Sequence, residues 1–175
     1  MLYTGKGDNG NTSLYGSKEK LSKSSSITEA LGSLDEINSY LGICKAKVMN
    51  AEISEMINSV QNNLFITQAQ VAGADKKIKD GEVKAIENIV GDIEKKLPPI
   101  TSFLISGATE ISAHFDFART LVRRAERRVV AVSETNSGRI DPYTLAYLNR
   151  LSSLMYAYAR FLATESSVSE KAPTY

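Results

Sequence analysis

The stretch Ala118-Arg119-Thr120-Leu121-Val122-Arg123-Arg124-Ala125-Glu126-Arg127-Arg128-Val129 reads as helix. Ala118, Val122, Ala125, Val129 and Val132 recur at the three- and four-residue steps of one buried helical face. Five arginines fall within ten residues of this stretch. Arg119, Arg123 and Arg127 stand at i, i+4 and i+8, and drift only about 80° around a helix, so they form one stripe beside the apolar line. Like charges at i, i+4 repel, so three in a row point to an anionic partner rather than to a solvated face. The planar fork of arginine suits phosphate oxygens or a facing carboxylate. Glu126, three residues after Arg123, is placed to orient it.

Four more segments carry the same period. The first runs from about residue 28 to 48, the second from about 54 to 71, and the third steps through Val83, Ile86, Val90, Ile93 and Leu97. Pro98-Pro99 ends the third, because proline cannot extend a helix. The arginine-bearing helix is the fourth, from about 109 to 133. The fifth starts after Asp141, an N-cap with Pro142 at the first helical position. It carries Leu145, Leu148, Leu151, Met155, Tyr158 and Leu162. Residues 74–81 and 136–139 are polar and turn-like, and residues 98–108 make a longer crossing. Phe103-Leu104-Ile105 is the one strand candidate. The pattern predicts an all-α chain, an antiparallel five-helix bundle with four long helices and one shorter. It divides a single domain of 175 residues into a loop (1–25), a bundle (26–165) and a polar, mobile tail (166–175).

Composition narrows the function classes. A net charge of +1 gives no bulk electrostatic case for nucleic acid or an anionic membrane. One cysteine rules out an intrachain disulfide and a cysteine metal cluster, and Cys44 reads as a small buried hydrophobe. No apolar run reaches membrane-spanning length. Met1-Leu2-Tyr3 runs straight into a glycine-rich loop, so we expect no signal peptide and a cytoplasmic location.

That loop, Thr4-Gly5-Lys6-Gly7-Asp8-Asn9-Gly10-Asn11-Thr12-Ser13, has no apolar side chain and cannot be core. Its glycines let backbone N–H groups converge into an anion-binding concavity, and Lys6 adds a cation. Thr4, Thr12 and Ser13 supply hydroxyls, and Asp8 can accept from a ribose or sit near a metal. The Walker spacing is absent, because no Lys-Ser or Lys-Thr follows the second glycine at the required distance. The loop alone reads equally as a flexible tail.

Elsewhere, Asn149 occupies mid-helix in Tyr147-Leu148-Asn149-Arg150-Leu151-Ser152, where asparagine is unfavourable. Asp35 and Glu36 adjoin apolar positions of the first helix; Asp35 reads either as solvated or as the partner of an arginine, in its own chain or a neighbour's. His114, the one histidine, reads as structural. No zinc-ligand spacing and no Ser/His/Asp set is present, and the metal site is left unassigned.

Together these motifs resemble the PduO-type ATP:cob(I)alamin adenosyltransferases. That family carries a T-G-T-G-D-x-G-x-T loop, an A-x-G-x-x-D-E-L-N-S helix start, R-x-x-x-R-R-A-E-R, and Y-L-N-R-L-S-D. Here the matching stretches are Thr4 to Thr12, Ala30 to Ser39, Arg119 to Arg127 and Tyr147 to Ser153, in the same order along nearly the whole chain. The resemblance implies a homotrimer with ATP held between neighbouring subunits. It assigns ATP contacts to Thr4, Gly5, Lys6, Gly7, Asp8, Gly10, Thr12, Ser13, Lys23, Arg123, Arg127 and Asn149. Lys23 matches a family lysine only if two extra residues sit near Ser17 to Glu19. Asp35 resembles an aspartate that pairs across the interface with an arginine of the Arg-rich helix, and Glu126 matches the family glutamate. Arg123, Arg127, Asp35 and Glu126 are thus the residues expected to carry catalysis. The departures are Lys6 for a common threonine, Ala108 for a second glycine, Ser153 for aspartate, and Asp116 where many relatives have histidine.

The implied reaction is transfer of the 5′-deoxyadenosyl group of ATP to the cobalt of cob(I)alamin, with Mg²⁺ on the nucleotide and triphosphate leaving. Cobalt supplies the nucleophile, which suits a chain with one cysteine and one histidine. The protein would position the 5′ carbon and neutralise charge on the leaving group. A flavin-type reductase and an adenosylcobalamin-dependent enzyme are the implied protein partners. An alternative is a non-catalytic ATP- or corrinoid-binding carrier, which would bind ATP without turnover. A helical RNA-binding module would instead show steeply salt-dependent affinity.

Overall fold

The computed structural model describes every residue except 1, 15, 136 and 137. The turn expected at 136–139 therefore lies partly outside the described residues. Two short strands, β1 (Asn11–Thr12) and β2 (Leu21–Ser22), precede five helices: α1 (Ser26–Lys47), α2 (Ala51–Val71), α3 (Asp80–Glu94), α4 (Glu110–Thr135) and α5 (Pro142–Glu165).

Local chemistry sets the helix starts. The Ser25 hydroxyl accepts from Thr28 N, Asn50 Oδ1 from Ile53 N at 3.0 Å, and Asp141 Oδ1 from Tyr143 N at 2.9 Å. The Asn50 cap opens α2 three residues before the periodic pattern suggested. Glu82 Oε2 accepts from Lys79 N at 2.8 Å and anchors the first turn of α3. That helix stops at Glu94, and residues 95–97 turn into Pro98-Pro99.

The apolar faces meet in one core. Leu34, Ile37 and Leu41 of α1, Ile57, Val60 and Leu64 of α2, Ile86 of α3, Val122 and Val129 of α4, and Leu148 and Leu151 of α5 are all fully buried. Helix α4 is central: it packs on both α1 and α5, α3 packs on α5, and α1 packs on α2. Ion pairs along α1 and α4 join Glu29 to Arg128, Glu36 to Arg124 and Lys47 to Glu110, so the two helices run antiparallel. Polar bonds cross the interior where α2 meets α5. Asn63 Nδ2 donates to the Tyr147 hydroxyl at 3.2 Å, and Thr144 Oγ1 donates to Gln70 Oε1 at 2.7 Å. Among the described residues, no helix is long and apolar enough to cross a membrane.

Two expectations are corrected. Phe103-Leu104-Ile105 is not a strand: its one backbone bond outside the segment runs from Ile105 N to Lys171 O at 2.8 Å, and Phe103 stands 82% exposed. A strand needs a continuous partner, and the crossing has none. Strand pairing occurs instead in the N-terminal segment, in antiparallel register Asn11↔Ser22 and Thr12↔Leu21. Two-residue strands are too short to write an alternating pattern into a sequence. Residues 166–175, expected as a free tail, are docked as far as Lys171, through Ile105 and through an ion pair between Arg160 and Glu170.

Candidate functional site

The glycine-rich loop folds as successive turns. Asp8 N donates to Gly5 O at 3.3 Å and Gly10 N to Gly7 O at 3.1 Å. Gly5 and Gly10 take φ of +67° and +78°, the left-handed region in which a side chain would be strained. Lys23 follows β2, and its N–H donates to Gly10 O at 2.9 Å. Its ammonium lies over Gly7: a Cβ there would sit 2.9 Å from Lys23 Nζ. Lys23 thus lies against the loop. Lys6 and Asp8 stay exposed on the outer side, as do Thr4 and Ser13, while Thr12 is half-buried in β1.

Beneath this loop, Lys23, Thr28, Glu29, Glu36, Arg124 and Arg128 border a concavity of about 510 Å³. Arg124 Nη2 donates to Glu36 Oε2 at 2.5 Å, and Arg128 Nη2 lies 3.4 Å from Glu29 Oε2. These two arginines are paired within the chain.

The stripe on the other side of α4 is not. Arg123 and Arg127 are exposed, and neither makes an ion pair or side-chain hydrogen bond among the described residues. Arg119 is half-buried; its guanidinium lies 5.9 Å from the Tyr156 ring centroid and its Nε is buried without a partner. Arg119 and Arg123 border a cavity of about 430 Å³ whose other walls include Ile100, Phe103, Leu104 and Tyr156.

Glu126 does not orient Arg123. Its Oε1 accepts from Asn149 Nδ2 at 3.0 Å, Asn149 Oδ1 accepts from Arg150 Nη1 at 2.6 Å, and Arg150 Nε donates to Glu87 Oε1 at 2.9 Å. The amide of α5 takes the carboxylate because Glu126 points into the α4–α5 seam, leaving Arg123 free. This relay also accounts for an asparagine in mid-helix. Asp35 is exposed and makes no ion pair in its own chain among the described residues; its neighbour Glu36 takes Arg124 instead.

Cys44 and His114, set aside by the sequence, and Asp116, a departure from the family pattern, make structural contacts. Cys44 is fully buried, and burial pushes its thiol up to about 12, so it stays protonated and inert. His114 Nδ1 is 2.8 Å from the Tyr40 hydroxyl. Asp116 Oδ2 accepts from Gly107 N at 2.9 Å and ties the crossing to α4, while burial raises its carboxyl above the usual range. No group of three or more His, Cys, Asp or Glu able to hold a metal stands among the described residues.

The sequence reading missed the apolar wall. Phe103 drew notice only as a strand candidate, and Ile100 and Tyr156 drew none. The available signal was three large apolar residues, Ile100, Phe103 and Ile105, in a short polar crossing with no helical period. All three are more than half exposed.

The arrangement combines a cationic glycine loop, a row of unpaired guanidinium groups and an open apolar surface. Residues 2–162 match the family model for cobalamin adenosyltransferase. A corrinoid adenosyltransferase of Citrobacter freundii is 33% identical over 95% of the chain and 97% of its own length. The corrinoid adenosyltransferase PduO of the same organism is 35% identical over 91% of the chain, which spans about half the length of that longer relative (49%). A variant PduO-type ATP:corrinoid adenosyltransferase from Lactobacillus reuteri, complexed with cobalamin and ATP, superimposes with a TM-score of 0.92 at 26% identity, covering 100% of both chains.

Proposed function

Because this chain belongs to the cobalamin adenosyltransferase family, we propose that it transfers the 5′-deoxyadenosyl group of ATP to the cobalt of cob(I)alamin, releasing triphosphate. The observation that carries this reading is the pairing of unpartnered Arg123 with the apolar cavity of Phe103, Leu104 and Tyr156. A triphosphate needs the first and a corrinoid face needs the second. Exposed apolar surface of this kind marks a docking site.

Reduced cobalt attacks the 5′ carbon of ATP, so the protein supplies no nucleophile. Its tasks are alignment of the two substrates and neutralisation of charge developing on triphosphate. Backbone N–H groups of Gly5, Gly7 and Asn9, with the Lys6 and Lys23 ammonium groups, hold phosphate oxygens from one side, and Arg123 and Arg127 from the other. Asn149, fixed by Glu126, offers an amide edge to the nucleoside. Asp8, Thr12 and Ser13 are hard oxygen donors suited to Mg²⁺ carried on the nucleotide, which screens the triphosphate charge. The apolar wall of Ile100, Phe103, Leu104 and Tyr156 would exclude water from the corrinoid and offers the cobalt no polar ligand.

The loop and the arginine stripe lie on different sides of α4, and among the described residues no hydrogen bond or ion pair joins them. We infer that the site closes between copies of the chain, in a homotrimer, with exposed Asp35 facing an arginine of the neighbouring α4. A flavin-type reductase in the cytoplasm is the proposed electron source.

The test is direct. Chemically reduced cobalamin plus Mg-ATP should yield the light-sensitive adenosylated product with one triphosphate per turnover. ATP bound tightly with no such product would instead establish the carrier reading.

A further inference from the structure

Arg160 is a buried cation outside the arginine stripe of α4. It lies on α5 with its side chain 8% exposed. A guanidinium so placed is stable only if its donors are met. Its Nε donates to Glu170 Oε2 at 3.1 Å and its Nη2 donates to Pro98 O at 3.1 Å. Glu170 belongs to the segment after α5 and is itself only 17% exposed. The next residue, Lys171, accepts from Ile105 N at 2.8 Å.

One buried cation thus joins three chain segments. The post-helical segment holds the crossing at Pro98 through Arg160 and at Ile105 through Lys171. Between these two holds stand Ile100, Phe103 and Leu104, which wall the cavity beside Arg123. Among the described residues, no other hydrogen bond or ion pair joins the tail to the crossing, and Asp116 holds Gly107 from the α4 side.

We propose that Arg160 and Glu170 are positioning residues for the corrinoid: their ion pair sets the pose of residues 98–105 without touching either substrate. This rests on the proposed function, and it makes the C-terminal segment part of the corrinoid side of the site. Among the described residues, no hydrogen bond or ion pair joins the pair to the loop, Arg123, Arg127 or Asn149 of the ATP side. Losing the pair therefore acts on one substrate and spares the other.

The experiment uses the full-length chain with Glu170→Ala and Glu170→Gln. Amide hydrogen exchange across residues 99–107 is measured first, without substrates. Steady-state KM is then measured separately for cob(I)alamin and for ATP. Glu170→Ala should speed exchange in the crossing and raise KM for cob(I)alamin about tenfold, the size of one lost charge-assisted hydrogen bond, with KM for ATP within about twofold. Glu170→Gln keeps an acceptor for Arg160 and should recover much of the loss. Should Glu170→Ala fail to fold, Glu170→Gln decides on the same readings with a smaller split. Unchanged exchange in the crossing, or two KM values rising together, overturns the proposal. A wild-type chain that makes no adenosylated product while exchange responds as stated would sink the function reading and leave the hold of the Arg160–Glu170 pair on residues 98–105 standing.

Discussion

Arg127 and Arg128 are chain neighbours of one type in different surroundings. Arg128 is paired with Glu29 on the α1 side, while Arg127 stands free on the stripe with Arg123. If Arg127 clamps the leaving triphosphate, its contribution grows as charge builds. A hydrogen bond to such a group is worth about 1.5–3 kcal/mol, or about ten- to a hundredfold in rate. Arg127→Ala should lose at least about tenfold in kcat at saturating cobalamin with the assembly intact. Arg128→Ala removes an exposed ion pair worth about 0–1 kcal/mol and should leave kcat nearly unchanged. Equal losses from the two variants, read in one stopped assay, would remove Arg127 from the phosphate site.

At the scale of elements, the helix starts are the most legible feature. Asp141 was readable as a cap because aspartate followed by proline suits the first turn, and the structure gives Oδ1 the Tyr143 N–H. Asp141→Ala should cost about 1 kcal/mol in urea denaturation, with kcat for adenosyl transfer retained. No loss of stability would mean that Pro142 alone sets the start of α5. The core lines of α2 and α4 were legible for a related reason: a 3.6-residue period is written locally. Partners that arrive from another element were not. Glu126 has Arg123 as its near neighbour by spacing, yet Asn149 reaches it from α5. The docked tail depends on Arg160 and Ile105, which are distant in sequence from Glu170 and Lys171. The candidate site was legible where motifs are polar and contiguous, as in residues 4–13, and illegible on the apolar side, where Phe103 resembles any hydrophobe.

For the whole molecule, the separation of loop and stripe makes a quantitative demand on assembly. Lys23→Ala damages one half of the proposed ATP site and Arg127→Ala the other. Each variant alone should be nearly inactive. Refolded together in equal amounts, they should recover activity at about a quarter of the sites, the chance that a random neighbour pair contributes both intact halves. No recovery in mixed assemblies, verified by light scattering, would mean that each copy completes its own site. The two faces of α4 also govern which changes of chain length the molecule can absorb. Successive helical residues are 100° apart, and Val122 and Ala125, flanking Arg123 and Arg124, are fully buried. An insertion of one residue after Ala118 would swing Arg124 into the place of Ala125; a deletion would swing Arg123 into the place of Val122. Either slip drives a charge into the core and, at the same stroke, exchanges the stripe that is neutralised at home for the one left free. A point change in α4 edits one contact, but an indel rewrites both faces, so length variation has to be accommodated in the connections between helices.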